Sequence, residues 1–270
     1  MSDTAIPMEP TRRLVAFRGS GFAPRRLPAV SIAGISLVIL AWQASSSLGW
    51  IDAVFLPSPR AILQVLWRLL TTGALWNHLI VSITRLAVGW TAGTAAGVLI
   101  GLALGLYSTA RSVGVPLVSA LITIPKVALL PLFIVWFGIG EWSKIMIISF
   151  GVCFPTIIST YGAVDNVSKS LIRMAQSFEV NNAAIIRKVV LPAALPGILS
   201  GFRVSISIGI ILLVTAEMIG SNEGIGAFIL AAGNLYQVDR LLAGVVLLCS
   251  LGLTLSWIIT MAEKRWLDWR

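Results

Sequence analysis

Three charged side chains fall inside apolar runs of this chain, Lys126, Arg203 and Glu217. An ionised group in such surroundings needs water, a counter-charge or a substrate, which makes these positions functional candidates by default. Each can contact an anionic cargo or gate a pathway. The competing structural role is to snorkel to an interface, or to pair with one another and hold the helices together. Other chemistry is poorly supplied. The single histidine, His78, has no second ligand or general base at a workable spacing and is read as structural or interfacial. Cys153 and Cys249 both lie in apolar runs and are read as packed thiols, with no disulfide or metal role. No serine, cysteine or carboxylate set has triad or metal spacing, and no G-x-x-x-x-G-K-S/T phosphate loop occurs. The expectation is a chain that is not an enzyme, binds no cofactor or metal, and does not hydrolyse ATP itself.

Of 270 residues, 57% are hydrophobic and 11% charged, far from the composition of a soluble globular domain. An all-α integral membrane protein is expected, with about six spans of roughly 20 residues each. The net charge of +9 would suggest nucleic acid in a soluble protein. Here the basic residues cluster beside span ends, so topology accounts for them and no nucleic-acid partner is expected. Arg12, Arg13, Arg18, Arg25 and Arg26 lie in a Pro-, Gly- and Ser-rich segment, residues 1–28, read as a flexible cytoplasmic tail. A cleaved signal peptide competes with that assignment. The uncharged run 27–51 is long enough to span.

The spans are placed at about 29–48, 80–106, 115–137, 144–161, 197–219 and 241–262, with a short interfacial helix after Pro57 and Pro59 anchored by Trp67. Glycines 89, 93, 97, 101 and 105 recur every four residues in the second span, forming a ridge without side chains. Membrane helices use such ridges to pack backbone against backbone, so Gly89, Gly93, Gly97, Gly101 and Gly105 are read as a helix-packing seam. Arg85, near the outer end of that span, is expected to reach the interface or an acidic partner. Arg111 marks a short inner loop. Pro116, Pro125 and Pro131 interrupt the third span around Lys126, which should therefore be kinked and can line a pathway. Gly220, Gly224 and Gly226 permit an outer re-entrant turn. Lys264 and Arg265 fix the C-terminal segment, 263–270, on the cytoplasmic side.

The one long polar interruption in the C-terminal half is the loop 165–196, DNVSKSLIRMAQSFEVNNAAIIRKVVLPAALP. Leu171, Met174, Ala175 and Phe178 share helical spacing, which predicts a short amphipathic helix. Asn181 and Asn182 break it and cap a second helix, which Pro192 stops. This loop resembles the cytoplasmic motif of ABC importer permeases: E-A-A, three residues, Gly, nine residues, Ile, one residue, Leu-Pro. Arg173, Met174 and Ala175 stand at E-A-A, Glu179 at Gly, Val189 at Ile, and Leu191 and Pro192 at Leu-Pro. The first, second and glycine positions depart from the motif. Glycine reaches positive φ cheaply and glutamate does not, so Asn181 and Asn182 are expected to take over the reversal. The stretches PKVALLPLF at 125–133, WFGIG at 136–140 and AEMIGSNEGIGAFI at 216–229 are similar to that family as well.

The resemblance implies a type I ABC importer permease, its membrane domain 29–262 built on a core at about 78–262. It implies a bacterial cytoplasmic (inner) membrane location with both termini cytoplasmic. Its implied partners are two copies of an ABC ATPase that carries the ATP, a second permease copy in a homodimer, and a periplasmic or lipoprotein substrate-binding protein. Arg173, Met174, Ala175, Phe178, Glu179, Val189, Leu191 and Pro192 would then couple to the ATPase. The implied cargo class is taurine, aliphatic sulfonates, nitrate or bicarbonate, extending to some vitamin precursors. An ATP-independent secondary transporter or channel remains the alternative, though the halves show no internal repeat. A membrane scaffold without substrate is a third.

Overall fold

The computed structural model describes residues 28–52 and 54–266, so the basic tail and the last four residues lie outside the described part. The described residues form two units. In the first, α1 (Pro28–Ser47) is a 20-residue apolar helix. It is long and apolar enough to cross a membrane.

The second unit begins at Asp52. In α2 (Pro59–Thr71), Ser58 caps the start by accepting from the Ala61 amide at 3.2 Å, and Pro59 occupies the first turn, where a missing N–H costs nothing. Then come α3 (Trp76–Leu106), α4 (Ser108–Ile122), a 3₁₀ turn (Lys126–Leu129), α5 (Leu130–Phe137) and α6 (Glu141–Asp165). After α6 the chain makes α7 (Lys169–Ser177), α8 (Asn182–Ile185), a π-helical turn (Ile186–Val190) and α9 (Leu191–Gly220). It closes with α10 (Ile225–Asn234) and α11 (Val238–Trp266). Among the described residues, five helices can span a membrane, or six when α4 and the bent segment after it count as one.

The glycine ridge lies against α6. A Cβ at Gly97 would sit 2.7 Å from Thr156 Cβ and 2.8 Å from the Cys153 carbonyl, one at Gly101 2.6 Å from Thr160 Cβ, and one at Gly105 2.7 Å from Val164 Cβ. Gly89 and Gly93 meet Ile148 and Ser149 in the same way. Contacts that climb together in both sequences make α3 and α6 parallel. Ser149 Oγ donates to the Gly89 carbonyl at 2.9 Å, a bond that only this close approach permits. On its other side α6 meets α9 through Gly197 against Ala163 and Gly201 against Ser159, numbers that run in opposite senses, so α9 is antiparallel. Leu86, Leu130, Phe133, Ile147, Ile148, Val152, Leu212 and Leu213 fill the core between these helices.

The third span is broken more sharply than a kink. α4 and the segment 126–137 meet at 87°. Pro116 lies within α4 without ending it, whereas Pro125 starts the 3₁₀ turn from an extended backbone at ψ 104°. A proline drives the residue before it out of the α region and cannot donate, so the break falls at residues 123–125. The inner loop expected at Arg111 is absent. Tyr107 alone separates α3 from α4, in an extended conformation, and Arg111 is already helical.

Candidate functional site

The loop 165–196 is a two-armed lever. Its first arm, α7, turns Ile172 and Ala175 inward, where Ala175 is buried with Val164, Val167, Ile185, Val190, Ala194 and Ile198. Leu171, Met174 and Phe178 point outward, with Phe178 75% exposed. Ala175 therefore does not share the outer face with Met174 and Phe178, contrary to the expectation from spacing. A helix two turns long on a small core has an apolar side facing each way.

The reversal after α7 is made by Glu179 itself, at φ 56°. The Val180 amide donates to the Ala175 carbonyl at 3.2 Å and the Glu179 amide to the Gln176 carbonyl at 2.9 Å. Those two bonds are the paired closure of a Schellman turn, which requires a left-handed residue at this position. Asn181 does not take over the reversal. Its backbone is extended (φ −65°, ψ 152°), and its side chain accepts from the Ala184 amide at 2.7 Å, capping α8.

Pro192 does not stop the second arm either. α8, the π turn and α9 run on as one helix from Asn182 to Gly220. The Leu191 amide reaches back five residues, to the carbonyl of Ile186. One widened turn accommodates a proline that can neither donate nor approach the carbonyl four residues before it. Val189 and Leu191 are half-buried, and Arg173, Arg187 and Lys188 are exposed. Beyond the Glu179 turn, the second arm is thus continuous with α9. Arg111 of α4 grips Asp165 at the end of α6 with two bonds, 2.7 and 3.1 Å, and lies over the Tyr161 ring. This clasp joins the base of the lever to the broken span.

The three charges in apolar runs do not meet one another. Lys126 donates to the carbonyls of Ile122 and Leu121 and lies 5.2 Å from the Phe154 ring centroid. It caps the end of α4, where the helix dipole favours a cation, and shares the Leu121 carbonyl with the Ile124 amide. Arg203 pairs with Glu263 of α11 at 3.0 Å. Glu217 is fully buried and pairs with Arg85 at 2.9 Å, a structural role with a partner outside the three.

Glu217 is the centre of a cluster that no local pattern revealed. Its Oε1 also accepts from Ser82 Oγ at 2.7 Å, and its Oε2 from the Gly226 amide at 2.8 Å. The Ile225 amide donates to Ser82 Oγ at 2.8 Å, and the Gly224 amide to His78 Nδ1 at 3.1 Å, which gives the histidine its structural role. Gly224, at φ 118°, lies so close over the Glu217 carboxylate that a Cβ there would collide with it. The first amides of α10 thereby close on a buried anion. Arg85 also donates through Nη1 to the Glu223 carbonyl at 2.8 Å, and through Nε and Nη2 to both oxygens of Glu141, at 2.6 Å each. Lys144 lies 3.7 Å from Glu141. The usable sequence signal was that Arg85, Glu141, Lys144 and Glu217 all fall near span ends of one polarity.

A cleft of about 650 Å³ lies between α3, α9 and α11, bordered by Leu86, Trp90, Phe202, Leu251 and Leu255, and no charged residue lines it.

Residues 93–268 match the family described as the binding-protein-dependent transport system inner membrane component. The chain belongs to this family. Among its relatives, the putative aliphatic sulfonates transport permease protein of Bacillus subtilis (strain 168) is 36% identical, covering 87% of this chain and 85% of its own length. The taurine transport system permease protein of Escherichia coli (strain K12) is 34% identical over 89% of each. The fold is that of solved type I ABC importer permeases. A chain of the MetNI methionine ABC transporter in an inward-facing conformation superposes with a TM-score of 0.53 at 24% identity, covering 71% of this chain and 91% of that one. As a family member, the permease is a multi-pass protein of the inner membrane.

Proposed function

We propose that this permease is the membrane-spanning subunit of an ATP-driven importer for a small sulfonate or a related oxyanion delivered by an external binding protein. The observation that carries it is the outward stripe Leu171, Met174 and Phe178 on α7, exposed on a lever whose second arm is the start of α9. Large apolar side chains presented outside the membrane on a short helix suit an apolar groove in a partner protein. The partner is an ABC ATPase, and two permeases related by a two-fold axis present one α7 to each of two ATPases.

ATP binding draws the ATPases together and moves both levers. Motion of α7 rotates α9, and the Arg111–Asp165 clasp carries it to α4 and the elbow at Lys126. Lys126 and Arg203, the two cations inside apolar runs, can contact an anion deeper on the pathway. ATP shifts the bundle only by as much as it favours one state over the other. The lever and both chain ends are inferred to face the cytoplasm, a reading that the basic residues beside the span ends support. The cargo class follows from the relatives named for aliphatic sulfonates and taurine.

The test is reconstitution. The permease, an ABC ATPase co-expressed with it and a binding protein are placed in liposomes, and uptake of radiolabelled taurine is followed with and without ATP. Uptake that needs ATP and the binding protein supports the assignment. Uptake by the permease alone identifies an ATP-independent carrier instead.

A further inference from the structure

We propose that Arg85 and Lys144 form an oxyanion-binding site that Glu141 occupies as an internal stand-in and vacates when a sulfonate head group arrives. The proposal rests on the function above for the identity of the cargo, and it says where on the chain that cargo's head group is held.

The four charges of the cluster are not equivalent. Arg85 and Lys144 are 2% and 5% exposed, and Glu217 is fully buried with both oxygens engaged. Glu217 is fixed, because removing it would strand Arg85, Ser82 and the Gly226 amide. The Glu141 side chain is 56% exposed and, among the described residues, is held only by the cations. It is the first residue of α6 and follows Gly140, whose φ of −162° and ψ of −165° give a fully extended lead-in. Rotation about its own side-chain torsions takes the carboxylate to water without moving a helix.

With Glu141 turned away, Arg85 Nε and Nη2 form an open two-pronged fork beside the Lys144 ammonium. The guanidinium stays in place, because Nη1 is still held by Glu217 and by the Glu223 carbonyl. A planar fork recognises two oxygens of one anion. The carboxylate now in place has only two oxygens. Both go to Arg85 at 2.6 Å, and Lys144 is left at 3.7 Å, beyond hydrogen-bond distance. A sulfonate carries a third oxygen out of the plane of the first two, which can serve Lys144. The site therefore suits a three-oxygen head group better than the residue occupying it. It lies at the end of the bundle opposite α7, separated by the length of α6, 25 residues or ~37 Å. Asn77 and Glu223, bonded to each other at 2.9 Å, are exposed beside it.

The measurement is equilibrium binding of methanesulfonate and of acetate to the permease–ATPase complex in nanodiscs, for the parent, Glu141→Gln, and Glu141→Gln with Lys144→Gln. Glu141→Gln should bind methanesulfonate about tenfold or more tightly than the parent, since a charge-assisted competitor is gone. Adding Lys144→Gln should cost methanesulfonate about tenfold and leave acetate within about twofold, because only the third oxygen used the ammonium. Equal titrations of parent and Glu141→Gln overturn the proposal, as does an equal loss for both anions. Glu141→Ala serves if Glu141→Gln does not fold. Failure of both to fold also overturns it, because a carboxylate the bundle cannot release is no stand-in. ATP-dependent uptake in the parent is scored separately, so the transport function can survive the loss of this site.

Discussion

Glu179 holds a backbone conformation that glycine adopts without strain, at φ 56° in a turn whose two hydrogen bonds demand it. A left-handed conformation costs a side-chain-bearing residue ~1–2 kcal/mol, and glycine gives back part of that through its freedom in the unfolded chain. Glu179→Gly is therefore expected to stabilise the lever by about 0.5–1 kcal/mol while keeping ATP-dependent uptake. A lower unfolding temperature in detergent would show that the glutamate side chain contributes something the turn does not require. Glu217 is the opposite case. Glu217→Gln removes the counter-charge from a guanidinium that is almost wholly buried, and leaving such a charge half-paired costs ~3–5 kcal/mol. Folded yield and melting temperature in detergent should fall sharply. Unchanged melting would mean that Glu141 alone can hold Arg85.

At the scale of elements, packing rests on close backbone approach. Leucine at Gly97 would drive side-chain atoms into the Cys153 carbonyl, which cannot move without moving α6. Gly97→Leu should abolish monodisperse protein on size-exclusion chromatography. Gly34→Leu in α1, where nothing lies within 4 Å of the added carbon, should be tolerated. Equal yields from the two variants would remove the seam from the account. The outward face of α7 supports a different expectation. Phe178→Asp places a charge on a side chain that is 75% exposed and packs against nothing in the lever's own core. Insertion and folding should survive, while uptake falls at least about tenfold and the ATPase turns over without transport, the loss expected for one central apolar anchor. Ala175 is unsuited to that test, because a large residue there disrupts the lever itself.

For the whole molecule, the parallel pair α3 and α6 and the antiparallel α9 put the charged cluster and the lever at opposite ends. A single cysteine at Ile139, 83% exposed near the cluster, and another at Phe178 should be labelled from opposite sides of the membrane, once Cys153 and Cys249 are replaced. Phe178 should react only from the cytoplasm. Labelling of that position from outside would invert the topology and remove the ATPase-facing role of α7.

The sequence alone determined the class of molecule, because long uncharged runs and a polar interruption report directly on what water and lipid tolerate. It also placed the glycine seam, since a period of four is a property of one helix. The tertiary structure decided matters of partner and direction. Glu217 and Arg85 are 132 residues apart, and no local pattern pairs them. Met174 and Ala175 are adjacent and apolar, yet one is exposed and the other lies in the lever's own core, according to where Val164 and Ile198 lie. The continuity of the helix through Pro192 depends on one widened turn, in which the Leu191 amide reaches the Ile186 carbonyl, and the proline alone does not announce it.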